Sequence, residues 1–412
     1  MSELMDNLVD ETELENRKDK IEVVDRGSLS PGVAIGMTVL GLGAALLPVG
    51  QSGFGSLAMW IWLVAVAGIL AMIMFFPEST KNGQFVKYGT IAASILFFVL
   101  FPIGKSNATM TDFGLFVVFA SVIVGANLTQ GFAGQVSLAP AAFLGIGSYV
   151  SVLLNRGAEV EVAGISLDLP ETPFLVTIPI SMAVCMLFSL LIGFPALRVR
   201  GPWLAFVTLA FSLLVFLVLN NESGLTEGSR GLRVLRTDFS IFGIDMLPTH
   251  NFYFVGLIYL GFSLTVVWWM VRSPWGRAFK SIRDNAARAN SLGIDVRNYT
   301  LIAFAVGSAL AGGAGAVYAR QIEFIEPRSF FVNQTIDFFL ATVAGGLGTL
   351  AGPIIGASFI TVLADFLRFT GDWYRVFFGL FVIAMMLLTP KGVAGTFNDF
   401  RAWFQNRRSE TS

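Results

Sequence analysis

The feature that most constrains this chain is a series of apolar stretches, each close to the length of a membrane span. A transmembrane helix needs about 20 mostly apolar residues to cross about 30 Å of hydrocarbon. Twelve stretches qualify: 31–49, 55–76, 87–103, 113–128, 132–154, 174–196, 202–219, 251–271, 299–318, 333–348, 350–367 and 374–389. Glycine interrupts some of them, so one could be re-entrant. The sequence therefore predicts an all-α, polytopic membrane helix bundle of about 10–12 transmembrane helices with glycine-interrupted segments.

Composition excludes the main soluble classes. The 412 residues are 55% hydrophobic and 13% charged, whereas soluble domains carry about 25% charged residues. A soluble enzyme of this composition would expose large apolar patches to water. The net charge of −1 gives no field that could hold nucleic acid. With one cysteine, Cys185, and one histidine, His250, we expect neither an intrachain disulfide nor a multi-histidine metal site.

The charged residues divide the chain into four parts. Residues 1–30 are a polar tail, 31–111 an apolar extension, 112–390 a core rich in glycine and polar signals, and 391–412 a second polar tail. The N-terminal segment is acidic and lacks the basic start of a signal peptide. Most of the 27 Lys and Arg residues fall on one side of the predicted spans. The excess of basic residues on cytoplasmic loops places both termini in the cytoplasm.

A basic loop over 272–297 has the pattern of an amphipathic helix that starts at Pro274. Small residues recur along one stripe and charges along another: Ala278, Ile282, Ala286, Ala289 and Gly293, and Arg277, Lys280, Asp284 and Arg288. The helix is too polar to span a membrane, so its shape favours docking into a groove of a partner. The alternative is a connector that rests on lipid head groups.

Two glycine-rich segments interrupt hydrophobic spans, over 131–147 and 345–357. Bare backbone at membrane depth is tolerated only where protein buries it or where it lines a cavity. Both cavity lining and a tight helix crossing remain open. Gly134-Gln-Val-Ser-Leu-Ala is echoed by Gly346-Leu-Gly-Thr-Leu-Ala, each with a following proline. Interrupted spans at corresponding positions of two halves indicate a transport site.

Ionisable residues inside the spans are few. Asp337 and Asp365 are the main candidates, and no chain of Asp, Glu and His forms a proton relay. No phosphate-binding loop of the form G-x-x-x-x-G-K-[ST] is present. We therefore expect a passive pathway that another subunit drives. Further polar side chains could line it or hold helix ends: Asn127, Gln130, Asn220, Asn221 and Gln321.

With these motifs, residues 112–390 resemble the branched-chain amino acid permeases of bacterial ABC importers, specifically the longer, M-type permease of each pair. The resemblance is carried in order by Gly131-Phe-Ala-Gly-Gln-Val-Ser-Leu with Ala141-Ala-Phe-Leu-Gly-Ile-Gly-Ser-Tyr, Leu197-Arg-Val-Arg-Gly with Leu204-Ala-Phe-Val-Thr-Leu, Gly276-Arg-Ala-Phe-Lys-Ser-Ile-Arg-Asp-Asn with Leu292-Gly-Ile, Gly345-Gly-Leu-Gly-Thr with Gly352-Pro, and Pro390-Lys-Gly.

The resemblance implies an importer of the bacterial inner membrane that is not itself an enzyme. A second, H-type permease, two ATP-binding cassette ATPases and a periplasmic binding protein would complete it. ATP and Mg would bind to the partner subunits, and this chain would carry no cofactor. The coupling residues would be Gly276, Arg277, Ile282, Arg283, Asp284, Ala286, Ala289 and Gly293. The pathway residues would be Gly134, Gln135, Ser137, Asp337, Gly345 and Gly346.

The chain departs from the family at Ala286, where relatives usually carry Glu, and at Pro140, Pro202-Trp203 and Thr226-Glu-Gly-Ser-Arg-Gly. These departures leave the solute open among branched-chain amino acids, other neutral amino acids, urea and short amides. An ion-coupled secondary transporter, an intramembrane enzyme and a membrane scaffold are the rival classes.

Overall fold

The computed structural model describes residues 107–367 except 158, 163–164, 169, 197–202, 235–239, 242–243, 246–248 and 323, with isolated positions between 373 and 383. The predicted spans 31–49, 55–76 and 87–103, most of 374–389, and both polar tails lie outside these residues.

The described chain is built mainly from helices. They are α1 (Asn107–Asn127), α2 (Pro140–Arg156), α3 (Phe174–Ala196), α4 (Trp203–Asn221), the short α5 (Ser223–Thr226), α6 (Thr249–Arg272), α7 (Pro274–Ser291), α8 (Val296–Ile322), α9 (Val332–Gly345) and α10 (Gly352–Leu367). Among the described residues, five helices are long and apolar enough to cross a membrane: α1, α3, α4, α6 and α8. The prediction of a polytopic all-α membrane protein is confirmed.

Helix α8 forms the centre of the bundle and packs against α1, α2 and α3. Its small residues let neighbouring backbones approach closely, as is typical of helix contacts in membranes. A Cβ on Gly315 would collide with the carbonyl oxygen of Leu144 in α2, and one on Gly312 would collide with Cys185 in α3. Polar side chains add interhelical bonds. Tyr259 in α6 donates its hydroxyl to the carbonyl of Leu310 at 2.7 Å.

The outward faces of α3 and α4 are apolar and exposed. Leu187 and Leu191 are 67% and 69% exposed, and Phe206 in α4 is 62% exposed. In a membrane such faces meet lipid or an apolar partner. Burial within the chain therefore falls on the inner helices, α1, α2 and α8.

The two ends of the helix bundle differ in structure. At one end, which we call the α7 end, α7 lies beside the start of α8 and the end of α6. The opposite end, the hairpin end, carries the antiparallel pairs β1 (Glu159–Val162) with β2 (Ile165–Asp168), β3 (Leu232–Arg233) with β6 (Phe324–Ile325), and β4 (Ser240–Ile241) with β5 (Ile244–Asp245). Short 3₁₀ turns at Gly228–Arg230 and Pro327–Phe330 complete it.

Two predicted elements need correction. The stretch 132–154 is helical only from Pro140, because a π-helical turn over Leu128–Phe132 and a non-helical segment precede it. Gly134 has φ +70 there, a backbone that interrupts a helix. The amphipathic loop is one helix by its bounds, yet Asn285 within it has φ −162 and ψ 102, so α7 consists of two pieces.

Candidate functional site: paired glycine-rich segments beside an amphipathic helix

The first glycine-rich segment leaves several peptide groups outside a helix, and side chains bond them. Gln130 donates Nε2 to the carbonyl of Ser137 at 2.8 Å. The backbone N–H of Leu138 donates to the hydroxyl of Thr208 at 2.8 Å, and Ser212 donates its hydroxyl to the Leu138 carbonyl. Buried peptide groups without such bonds would be costly. Helix α4 therefore holds the interruption in place.

The second segment joins α9 to α10 in a tight turn. Gly346 and Gly348 have φ values of +117 and +72, which favour glycine. Thr349 donates its hydroxyl to the Gly346 carbonyl at 2.9 Å and accepts the N–H of Gly352 at 3.0 Å. The threonine thus caps the first turn of α10.

The two segments contact each other, although more than two hundred residues separate them. Asn127, the last residue of α1, donates Nδ2 to the carbonyl of Thr349 at 2.8 Å. Its Oδ1 accepts the N–H of Gly348 at 2.9 Å. A Cβ on Gly348 would lie 2.9 Å from the carbonyl oxygen of Gly131, so the two backbones are in direct contact. The structure therefore brings together the two segments whose sequences echo each other.

A narrow pocket opens beside the first segment. It is lined by Gly125, Ala126, Thr129, Ser137, Pro140, Phe143, Phe304, Gly307, Ser308 and Ala311. Its hydroxyls come from Thr129, Ser137 and Ser308, and the rings of Phe143 and Phe304 meet edge to face at 5.7 Å. The space has room for about one water molecule. A larger solute could enter only if the helices around it moved apart.

The predicted pathway residues occupy different positions. Ser137 lines the pocket, whereas Gly134 is exposed and Gln135 is half-buried. Gly345 and Gly346 are buried at the turn between α9 and α10. Asp337 belongs to the N-terminal part of α9, about 12 Å along the helix axis from Gly345 at 1.5 Å per residue. The structure does not bring Asp337 to the paired segments.

Specific hydrogen bonds cap helix α7 at its start, at its internal break and at its end. Ser273 caps it by accepting the N–H of Trp275 at 3.2 Å. At the break, the side chain of Asn285 accepts the N–H of Arg288 at 2.9 Å and so caps the second piece. The end is a Schellman motif, since Ile294 N–H donates to the Ala289 carbonyl at 3.1 Å and Gly293, with φ +82, takes the left-handed position.

The predicted coupling residues fall on two faces of α7. Gly276, Ile282 and Ala289 are buried within the chain, together with Ala278 and Phe279. Five are exposed: Arg277, Arg283, Asp284, Ala286 and Gly293. Docking of a partner stays a prediction for this helix, and any such partner would meet the exposed face.

Sequence reasoning missed several residues that shape the site. Thr208 and Ser212 hold the first segment, and Gly307 and Ser308 form one wall of the pocket. The sequence motif Leu204-Ala-Phe-Val-Thr-Leu contains Thr208, but the motif alone does not say that its hydroxyl bonds a backbone 70 residues away. The run of mostly small residues in α8, Ala305–Ala316, includes Gly307 and Ser308. Such a run predicts a close helix contact, and it could have indicated this wall of the pocket.

The architecture defines a class of protein: a multi-pass helical membrane protein in which two glycine-rich interruptions, distant in the chain, are in contact. A family model described as branched-chain amino acid transport system / permease component matches residues 109–389, and the chain belongs to this family. It is a permease subunit of an ABC transporter.

Named relatives agree with this family. The chain is 28% identical to the high-affinity branched-chain amino acid transport system permease protein LivM of Escherichia coli, over 74% of each chain. It is 26% identical to BraD of Pseudomonas aeruginosa, a permease protein of the same named system, over 67% of this chain and 91% of BraD. It is 29% identical to the autoinducer 2 import system permease protein LsrC of Photorhabdus laumondii, over 50% of this chain and 65% of LsrC. No solved structure matches.

Proposed function

We propose that this chain is the M-type permease of a binding-protein-dependent importer for branched-chain or other neutral amino acids in a bacterial inner membrane. A second, H-type permease would complete the pathway, and two separate ATPases would drive it with the ATP and Mg that they bind. A periplasmic protein would deliver the solute at the hairpin end. The chain itself would need no cofactor.

The observation that carries this proposal is the form and position of α7. It is amphipathic, lies at the end of the bundle and exposes a charged face beside the paired glycine-rich segments. A partner protein that binds such a helix can displace it, and the helix then transmits this displacement to the bundle. An ion-coupled transporter would be favoured by a relay of Asp, Glu and His side chains between the two ends of the bundle. The described residues form no such relay.

Charge supports a cytoplasmic α7 end. Residues 272–298 hold six basic residues, Arg272, Arg277, Lys280, Arg283, Arg288 and Arg297, against the acids Asp284 and Asp295. The segment 156–171 at the hairpin end holds one basic residue, Arg156, and the acids Glu159, Glu161, Asp168 and Glu171. Because Lys and Arg are in excess on cytoplasmic loops, this difference supports a cytoplasmic position for α7, and the proposal puts both termini on the same side.

The hairpin end offers a surface on which a binding protein could dock. Strands β3 and β6 pair across two loops that are about 90 residues apart in the chain, which ties these loops together. Arg156 joins the same region by an ion pair with Glu227 at 2.8 Å and a bond from Nε to the Arg233 carbonyl at 3.0 Å. A surface that is held together in this way presents one fixed shape to a partner.

Reconstitution tests the proposal. The chain, a second permease, both ATPases and the binding protein are assembled in proteoliposomes, and uptake of labelled leucine is followed with and without internal ATP. We expect concentrative uptake only in the complete, ATP-loaded assembly. Concentrative uptake by the isolated chain would establish the ion-coupled alternative instead.

Competition identifies the solute. Unlabelled isoleucine, valine, alanine, urea and acetamide are added in excess to the same assay. We expect the branched-chain amino acids to compete most strongly. Strong competition by urea or acetamide alone would assign the same importer class to a different solute, as the autoinducer 2 permease LsrC already illustrates within the relatives.

A further inference from the structure

Three segments meet at one point of the α7 end. They are the π-helical turn after α1, the turn between α9 and α10, and α7 itself. We call the four residues at the junction the clasp: Asn127, Gly131, Arg283 and Gly348. The two bonds of Asn127 described above fix the first two segments to each other.

Arg283 attaches α7 to this pair. Its Nη1 donates to the carbonyl of Gly131 at 3.2 Å. The backbone of α7 also packs on the same segment, because a Cβ on Gly134 would lie 2.9 Å from the Cα of Arg283. A Cβ on Gly348 would lie 2.6 Å from Arg283 Nη1, so the guanidinium fills the space beside both segments. Movement of α7 must therefore either carry the segments with it or break this contact.

The other interaction of Arg283 is weak by comparison. Its ion pair with Asp284 spans 3.4 Å, and the two side chains are 38% and 72% exposed. Exposed ion pairs contribute little because water and salt screen them. A cationic donor to a backbone carbonyl at the end of a helix is a stronger interaction.

We propose that Arg283 is a positioning residue that carries the movement of α7 to both glycine-rich segments, which Asn127 holds together so that they shift as one unit. Thr129 in the π-helical turn and Ser137 in the first glycine-rich segment both line the pocket and would move with Gly131. The inference rests on the proposed function, because that function supplies the partner ATPase whose movement displaces α7.

The test compares Arg283→Met with Lys280→Met in the complete reconstituted transporter. Both changes remove one positive charge from the exposed part of α7, but only Arg283 bonds the Gly131 carbonyl. ATP hydrolysis and uptake are measured in the same vesicles, and their ratio gives the ATP consumed per solute moved. We expect Arg283→Met to raise this ratio about tenfold, the loss expected from one charge-assisted hydrogen bond, and Lys280→Met to leave it near that of the unmodified chain.

A second variant keeps the inference testable if the Arg283→Met chain itself fails to fold. Asn127→Asp preserves the shape of the side chain and the acceptor for Gly348, but replaces the donor to Thr349 by an oxygen. We expect it to raise the same ratio. A normal ratio in Asn127→Asp would overturn the role of the clasp.

The remaining outcomes separate the inference from the proposed function. If Arg283→Met and Lys280→Met reduce hydrolysis and uptake in parallel, or if Arg283→Met loses the ATPases on purification, Arg283 acts through charge or docking and the inference is wrong. If the unmodified assembly shows no ATP-dependent uptake, the proposed function fails, and the inference fails with it.

Discussion

Gly125 in α1 and Gly307 in α8 face each other with no side chain between their backbones. A Cβ on either residue would collide with the carbonyl oxygen of the other. Because a backbone oxygen cannot rotate away, a larger residue would force the two helices apart. The same two glycines line the pocket, so packing and pocket shape depend on one contact.

We expect Gly307→Ala to lower the free energy of unfolding by about 1–3 kcal/mol, the usual cost of an overpacked contact. The matched control is Gly261→Ala in α6, where nothing lies within 4 Å of the added Cβ and alanine favours the helix. Thermal unfolding of the purified protein in detergent measures both. Equal stability of the two variants would contradict the close approach of α1 and α8.

The second prediction concerns Thr208, whose hydroxyl accepts the N–H of Leu138. Thr208→Val keeps the volume but removes the acceptor of this partly buried N–H, at a cost of about 1 kcal/mol. Thr265→Val is the control, because the exposed Thr265 hydroxyl donates to the Gly261 carbonyl of its own helix. Unfolding midpoints in detergent should fall for Thr208→Val alone, and uptake in vesicles should fall with them. A shift of similar size in both variants would show that the interruption does not depend on α4.

The third prediction concerns the break in α7. Asn285 caps the second piece of the helix, and Asn285→Ala should cost about 1 kcal/mol. Asn285→Asp keeps a capping oxygen and should behave like the unmodified chain. Hydrogen exchange of residues 286–291 in the assembled transporter measures the effect, and we expect faster exchange in Asn285→Ala only. The exposed Asn290 on the same piece provides the control substitution Asn290→Ala. Unchanged exchange in Asn285→Ala would contradict the cap.

Sequence patterns predicted where helices begin and end better than they predicted the breaks within helices and the contacts between segments. Apolar length located α3 at the observed bounds of Phe174–Ala196, and Pro274 marked the start of α7, because both depend on local composition. The break at Asn285 follows from a side-chain bond to Arg288, which hydrophobic periodicity does not contain. The repeat of glycine-rich segments pointed to a shared site, yet the bonds of Asn127 to Gly348 and Thr349 depend on how α1 and α9 pack. Such long-range contacts appear only in the folded chain.

The last prediction separates two roles for Gly293. The sequence places it on a small-residue stripe that contacts a partner, whereas in the structure it closes the Schellman motif with φ +82 and nothing within 4 Å of an added Cβ. If its role is the helix cap, Gly293→Ala should destabilise the end of α7 by about 1–2 kcal/mol, because alanine resists the left-handed region. Gly293→Asn should cost less, since asparagine tolerates this backbone although it is larger. If its role is close contact with an ATPase, the order reverses, because the larger asparagine crowds the interface more. Co-purification of the ATPases and hydrogen exchange over 286–294 are measured for both variants. A greater loss in Gly293→Asn than in Gly293→Ala would contradict the cap and favour the contact.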